Sequence, residues 1–593
     1  MRSLTSLSLR EITFGNGGGG YIVLSHLEVL NSNGFTGPIP EDIQNLTSLV
    51  HLDLSFNFFN TSIPSWLYSL SHLEVLILSD NEFRGPIPED IQNLTSLVHL
   101  DLSYNSFNTS IPSWLYSLSH LEVLNLAGNQ LRGTISSEIK NMTSIITLDL
   151  SKNELQGDLP TSSMAQLCKL KEIDLSGNTW KRSISQILDS CSGCLSDSLQ
   201  VLNIRDGQIY DVLPAWIFNF SSKLEYLDLS QNQMHGRIPA WIFNFSSELE
   251  YLDLSQNQMH GRIPNLTDMG TQEYSAIDLS QNHFEGPLPL VSSKLYKLDL
   301  SDNLLSGTIS QFLCSSPSQP MNMAALYLAK NRLSGKLPNC WSKWKNIQVL
   351  YLNYNSFGGG IPSSFGSFIF LRSLHLRSNN LSGILSLSDL QNCIDLVILD
   401  LSGNKFGGNI PTWLGTGPSM LRFLSAGFNE FHGHIPDELC ALNSLQILDL
   451  SNNNLSGPIP KCFNNFFIMA IKGAESPGFW YSVSRRSSAA YVEAALLLIK
   501  GKPIEYNRTL ELVNIIDLSG NSLSGHISLE ITNLSNLLSL NLSNNLLDGK
   551  IPVKIDPNGH STPKLQFIQL CRQQTMWSST HSELQHNGEV IVV

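Results

Sequence analysis

Apolar residues recur along this chain at i, i+3 and i+5 and then pause, as Leu49, Leu52 and Leu54 do in "LVHLDLSFN", and the pattern returns about every 24 residues. Within one period, the alternation Leu52, Asp53, Leu54 is that of a short strand with one buried face. A fixed Asn closes the strand: Asn57, Asn81, Asn105 and Asn129 begin a series that continues to Asn521 and Asn545. Its amide can donate to and accept from backbone groups of neighbouring turns that water cannot reach. Segments such as "GPIP" and "GKLP" then carry the chain back, Gly permitting unusual backbone angles and Pro fixing an extended one. Gly207 stands where one Asn is expected, and Asn33 belongs to a shortened unit.

No single period can bury its own leucines, so neighbouring ones must stack. The pattern L-x-x-L-x-L-x-x-N at this spacing predicts a mostly-β solenoid, a leucine-rich-repeat superhelix of short parallel strands with a 3-10 or irregular convex side and about 20 repeats. One continuous core, without separate globular domains, is expected. Duplication is part of its history: the stretch "EYLDLSQNQMHGRIPAWIFNFSS" is nearly repeated within residues 225–264. An added coil brings its own interfaces and lengthens the stack without a new fold.

Of 593 residues only 15% are charged, 36 basic against 50 acidic, for a net charge of -14. That balance argues against a phosphate-neutralising basic stripe, so no nucleic-acid partner is expected. Much of the acidity is the repeated Asp of "LDLS", from Asp53 and Asp101 to Asp449 and Asp517. These read either as soluble filler on an exposed sheet face or as an acidic strip that attracts a basic ligand.

Thirteen N-x-S/T sequons, at Asn45, Asn60, Asn93, Asn108, Asn141, Asn219, Asn244, Asn265, Asn380, Asn454, Asn507, Asn533 and Asn541, predict a secreted, glycosylated surface. Duplication of Asn- and Ser-rich repeats is the plainer source of the same triplets. Cysteine phase points to the same compartment. Cys314 and Cys340 stand in the same phase relation as Cys440 and Cys462, one coil apart, so both pairs are expected as disulfides. Cys168 is expected to pair with Cys191 or Cys194, while Cys393 and Cys571 have no evident mate.

One interval breaks the period: Asn453 and Asn521 stand about 68 residues apart, where one repeat takes about 24. The insert ends in "KGKPIEYNRTLELVNIIDLSGNSLSG". This island, with the repeat "LxxLDLSxNxLSGxIP" through nearly the whole chain, resembles the plant leucine-rich-repeat receptor-like proteins, and among them looks closest to the fungal-xylanase-receptor type. The organisation read from it is a degenerate N-terminal segment (1–26), a first repeat block (27–469), the island (470–511), a second block (512–552) and a divergent tail (553–593) expected to be disordered.

The resemblance implies the ectodomain of a cell-surface immune receptor at the plasma membrane, binding a microbial or damage-derived elicitor, protein, peptide or glycan. It also implies adaptor and co-receptor leucine-rich-repeat receptor kinases as signalling partners. "MRSLTSLSLREITFGNGGGG" lacks the apolar core of a signal peptide, and no run of about 20 apolar residues follows Pro552, so the reading is of a receptor sequence truncated at both ends. A secreted inhibitor of microbial cell-wall hydrolases and a non-functional paralogue fragment are the alternatives.

Side chains flanking the inward leucines face the concave surface. Most repeats place Asp and Ser there, but three consecutive ones place Tyr327 and Lys330, then Tyr351, Asn353 and Tyr354, then His375 and Arg377, with Phe423 and Phe428 beyond. Aromatics with Arg in register on one face are the composition of a recognition patch. The island adds Trp480, Tyr481, Arg485, Arg486 and Tyr491, either as ligand contacts or as packing, while Glu505, Tyr506 and Arg508 read as anchors. No metalloprotease, nucleophile-elbow, phosphate-loop or kinase signature occurs, so neither an enzyme nor a cofactor or metal is expected.

Overall fold

The computed structural model describes residues 6–8, 34–214, 223–238, 248–267, 272, 274–315, 320–386, 390, 392–471, 480–481, 491–492, 495–499, 502–506, 509–548 and 568–569. The chain divides into two compact units, the first centred on Met1–Pro264 and the second on Phe284–Val593. One uninterrupted core was the sequence expectation. Stacked coils touch only their neighbours, so contacts are local along the whole chain and a compact grouping can end at any coil boundary.

In the first unit three-residue strands pair in parallel and in register, coil after coil: His51–Asp53 with Val75–Ile77, then His99–Asp101, Val123–Asn125 and Thr147–Asp149. Leu52, Leu76, Leu100 and Leu124, at their centres, are fully buried. Short 3-10 helices such as Glu41–Asn45, Ser65–Ser69 and Glu89–Asn93 return the chain on the other side. At the N-terminal end the strand paired with His51–Asp53 is Ser6–Ser8, from the segment read as degenerate.

The Asn series is what joins one coil to the next. Asn105 Nδ2 donates to Leu102 O and Ser103 O of its own coil, at 3.1 and 3.0 Å, and to Leu78 O of the preceding one at 2.9 Å. Its Oδ1 accepts from Phe83 N at 3.0 Å. Where Gly207 replaces the Asn, Leu175 O would lose the donor that the next coil supplies. The indole N–H of the buried Trp180 donates to it instead, at 2.9 Å.

The return segment does more than carry the chain back: it builds a second parallel sheet. In the second unit its strands include Arg332–Lys336, Ser356–Gly359, Asn380–Ile384 and Lys405–Gly408. Each needs a glycine four residues past the Asn, with φ of +84° at Gly335, +76° at Gly359, +99° at Gly383 and +80° at Gly408. In the first unit Gly85 and Gly133 take this position, but Thr61 and Thr109 hold it in the intervening coils. A β-branched residue resists φ > 0, and there the second sheet shrinks to isolated pairs such as Arg84–Gly85 with Ser106–Phe107.

The island leaves the stack unbroken. Ile447–Asp449 pairs directly with Ile515–Asp517, and Asn521 Nδ2 reaches back to Leu450 O at 2.9 Å as if the coils were consecutive. Within the island, Trp480–Tyr481 pairs antiparallel with Tyr491–Val492, and Ala495–Ile499 with Lys502–Tyr506. In the tail read as disordered, Ile568–Gln569 pairs in parallel with the strand Ser539–Asn541.

Candidate binding face

Strand register fixes which side chains are neighbours on the outward face of the first sheet. In the second unit one row runs Tyr327, Tyr351, His375, Asp400, Ser425, Asp449, and a parallel row runs Ala325, Val349, Ser373, Ile398, Phe423, Ile447. The three aromatic side chains thus stand side by side. Ring centroids lie 5.1 Å apart for Tyr327 and Tyr351, and 4.0 Å apart, stacked, for Tyr351 and His375. Lys297 Nζ sits 5.7 Å from the Tyr327 ring centre.

That packing corrects part of the sequence expectation. Tyr327 and His375 are buried, at 3% and 4% exposure, because neighbours on the row and beside it cover their rings. His375 Nε2 lies 3.0 Å from Ser373 Oγ. Phe423 is 1% exposed and does not face solvent at all. It lies in an apolar cluster with Ile398, Ile447 and Ile515, and that cluster is roofed by Leu510, Val513 and Tyr506 from the island's returning end. Gln446 Nε2 ties the same segment down by donating to Glu511 O at 3.0 Å. Of the residues read as anchors, Tyr506 packs in this cluster, Arg508 lies outside the described residues, and Glu505 is described only as part of its strand.

Tyr351, Asn353, Tyr354 and Arg377 remain half-exposed, and Lys330 and Phe428 are exposed. Lys330 (φ 53°), Tyr354 (φ 55°) and Phe428 (φ 54°) precede the fixed Asn in a left-handed conformation. This costs about 1 to 2 kcal/mol for a residue with Cβ. The neighbouring coil enforces it: Lys330 N donates to Asn353 O at 2.9 Å and Tyr354 N to Arg377 O at 2.8 Å. Phe56 and Tyr104 occupy the same position in the first unit, also exposed. Trp480, Tyr481 and Tyr491 fall on the island strands, and Arg485 and Arg486 lie outside the described residues.

The repeated Asp also has a part in the fold. Its Oδ1 accepts from the backbone N–H two residues on, as Asp53 does from Ser55 and Asp101 from Ser103, both at 2.9 Å, so it closes the turn that leads to the Asn. In the first unit the row gains a second feature that sequence reading passed over. Tyr226 and Tyr251 stack at 4.4 Å, and Tyr251 donates its O–H to Asp253 Oδ2 at 3.0 Å. The duplicated "EYLDLSQN" was the available signal.

Burial, reinforced by Asp278 and Asp228, pushes the Asp253 carboxyl up to about 7. Burial and Asp517 push Asp449 to about 6. A carboxyl raised on folding binds its proton more tightly in the folded state. Its stability contribution is therefore complete below the unfolded value near pH 4 and lost as pH rises through 6 to 7. Thermal melts are expected to show higher stability at pH 5 than at pH 7.5, by on the order of 1 to 3 kcal/mol. Asp253→Asn should flatten the difference; an unchanged slope would refute the assignment.

Disulfides join Cys314 to Cys340 and Cys440 to Cys462, with Cα atoms 5.5 and 5.7 Å apart, and Cys168 to Cys194 at 4.9 Å. Cys191 and Cys393 are buried thiols, whose burial pushes both up to about 12. Sequon residues Asn45, Asn93, Asn108, Asn141, Asn265, Asn380, Asn454 and Asn533 are exposed and Asn60 is half-exposed, while Asn219, Asn244 and Asn507 lie outside the described residues. Asn541 sits on the first sheet with its amide engaged: Nδ2 donates to Asp517 Oδ2 at 2.9 Å and Oδ1 accepts from Ser543 Oγ at 2.8 Å.

Comparison with known proteins places these features. A leucine-rich repeat region family model matches residues 66–270, and a leucine-rich-repeat model matches six further stretches between 48 and 557. Receptor-like protein EIX2 of Solanum lycopersicum is 39% identical over 255 residues, which is 42% of this chain and 24% of that protein. Receptor-like protein 54 of Arabidopsis thaliana is 30% identical over 264 residues, 42% of this chain and 29% of the relative. The matched stretches therefore span about a quarter of these relatives' lengths. Among solved structures, the plant peptide hormone receptor RGFR1 in complex with RGF2 aligns with TM-score 0.63 at 29% identity, covering 89% of this chain and 78% of that one. The Arabidopsis receptor kinase HAESA, solved with the peptide hormone IDA and the co-receptor SERK1, aligns with TM-score 0.63 at 28% identity, covering 93% and 84%.

Proposed function

We propose that this chain, a leucine-rich-repeat protein similar to the plant receptor-like proteins, is the ligand-binding ectodomain of a cell-surface receptor for a microbial or damage-derived molecule. The repeats form the scaffold, and the island's returning end, at Tyr506 and Leu510, packs on the first sheet's outward face. Recognition takes place on the outward face of the first sheet in the second unit, at the extracellular side of the plasma membrane. A co-receptor kinase supplies signalling, as the likeness to an ectodomain solved with a co-receptor supports.

The observation that carries this reading is the in-register break in the Asp-Ser pattern. There consecutive coils present Lys330, then Tyr351 with Tyr354, then Arg377. Half-exposed aromatic rings beside a guanidinium and an ammonium suit a ligand with aromatic and acidic groups. The buried Tyr327 and His375 hold Tyr351 in place rather than meeting the ligand.

A fungal xylanase immobilised for interferometry is a direct probe. Wild-type protein is expected to bind, and Tyr354→Ala with Arg377→Ala to weaken binding at least about 10-fold, the loss of one hot-spot residue. Equal binding by the double variant would place recognition elsewhere. Inhibition of the xylanase on binding would favour the secreted inhibitor instead.

A further inference from the structure

Two residues precede the first leucine of every repeat, on the edge where the chain enters the first sheet. In the first unit they are polar: Thr47 and Ser48, Ser71 and His72, Thr95 and Ser96, Ser119 and His120, Thr143 and Ser144. Early in the second unit Ser293 and Lys294 and then Lys345 and Asn346 are polar, while Met321, on the coil between, is buried. The composition then changes on successive coils. Ile369 and Phe370 come first, Ile394 follows one coil on, Met420 the next, and Leu512 stands in this phase after the island. The coil between has Asn443, and there the short helix Phe467–Ala470 lies alongside, Ile468 N donating to Asn443 O at 3.3 Å, with Phe467 and Ile471 outward.

These side chains are 44 to 66% exposed. Register places Ile369 level with Ile394, and Met420 level with Ser444 and Leu512. Scattered exposed leucines need no explanation, but a stripe confined to two adjacent repeat phases and one set of coils does. About half of seven large apolar residues amounts to on the order of 600 Å².

Some coils outside the stripe carry a glycan site at this edge, although those entered from Ser65–Ser69 and Ser113–Ser117 do not. Asn45, Asn93, Asn141 and Asn533 end the 3-10 helices that lead into this edge, so on those coils the edge carries a glycan site. Among the described residues of the apolar coils none does: Asn380 and Asn454 stand in the second sheet. An edge without bulky sugars is open to a protein.

We propose that this stripe is a homodimer interface, two copies meeting stripe to stripe about a twofold axis. The stripe spans two adjacent columns, Ile369 and Ile394 in one and Phe370, Met420 and Leu512 in the other, interrupted by Asp395 and by Asn443 and Ser444. Side chains spaced by the strand separation of about 4.8 Å are met best by another row of the same period. The chain itself carries such a row. Two stripes of on the order of 600 Å² bury roughly 1,200 Å², the lower end of a standard interface, which sets the dimer as reversible and micromolar rather than obligate. The net charge of -14 opposes association of like copies, and salt screens that repulsion beyond about 10 Å. Dimerisation therefore tightens as salt is raised. The proposal is independent of the ligand reading above.

Sedimentation velocity on the secreted, glycosylated full chain tests it. Weight-average mass should rise from one 65.8 kDa polypeptide with its glycans toward twice that value between about 1 and 100 µM, and rise further at higher salt. Phe370→Ser with Met420→Ser should weaken the dimer at least 10-fold, about 1.4 kcal/mol, with an unchanged circular-dichroism melt. Ile394→Thr completes a sequon at the exposed Asn392; a glycan there, verified by mass spectrometry, should abolish dimerisation. His120→Ala, at the same phase in the first unit, should leave it intact. A wild type that stays monomeric at about 100 µM, or a dimer untouched by both stripe changes, overturns the proposal. So does a monomer that uses the stripe to bind lipid vesicles.

Discussion

Replacing Asn105 by Ala is expected to destabilise the first unit by about 1 to 3 kcal/mol, more than a typical exposed substitution. The amide makes four hydrogen bonds, and two of its partners, Phe83 N and Leu78 O, belong to the preceding coil. Ala leaves the Phe83 N–H buried without an acceptor, at about 1 to 3 kcal/mol, while Leu78 O keeps Asn81 Nδ2, Leu102 O keeps Asn129 Nδ2 and Ser103 O keeps Asp80 N. Water cannot take over, since Phe83 is fully buried. The Gly207 coil makes the same point from the other direction, because there the lost donor is replaced by Trp180. Urea denaturation followed with hydrogen exchange at Phe83 reads the effect; a shift under about 0.5 kcal/mol would mean that the ladder is decoration.

Phe423→Ala should cost about 3 to 5 kcal/mol, as large-to-small changes in a closed core do. It should also expose residues 470–511 to limited proteolysis, because Leu510, Val513 and Tyr506 rest on the cluster that Phe423 fills. A ligand-contact role makes the opposite forecast: unchanged stability with a loss of binding. Stability and proteolysis measured on the same variant separate the two, and an unchanged melting temperature would restore Phe423 to the binding face.

Much of this molecule was legible in its residues. The solenoid and the phase of the Asn followed from one buried face per coil and one amide able to bond in both directions. Cysteine phase singled out Cys314 with Cys340 and Cys440 with Cys462, and these pairs are bonded. The side-by-side order of Tyr327, Tyr351 and His375 also followed, since a repeat of fixed length fixes register. The second sheet did not, although its glycine marks every regular coil. "LSGxIP" reads as a return path until neighbouring coils show that their backbones are close enough to pair.

Sequence by itself decided which residues share a row, because every coil copies the same period. Which of them meet solvent was decided only by tertiary structure. Phe423 and Phe428 are five residues apart and both aromatic, yet one is closed in beneath the island's end and the other is 47% exposed. Exposure depends on what packs from outside the repeat, and that contact joins residues separated by most of the island, which no local pattern encodes.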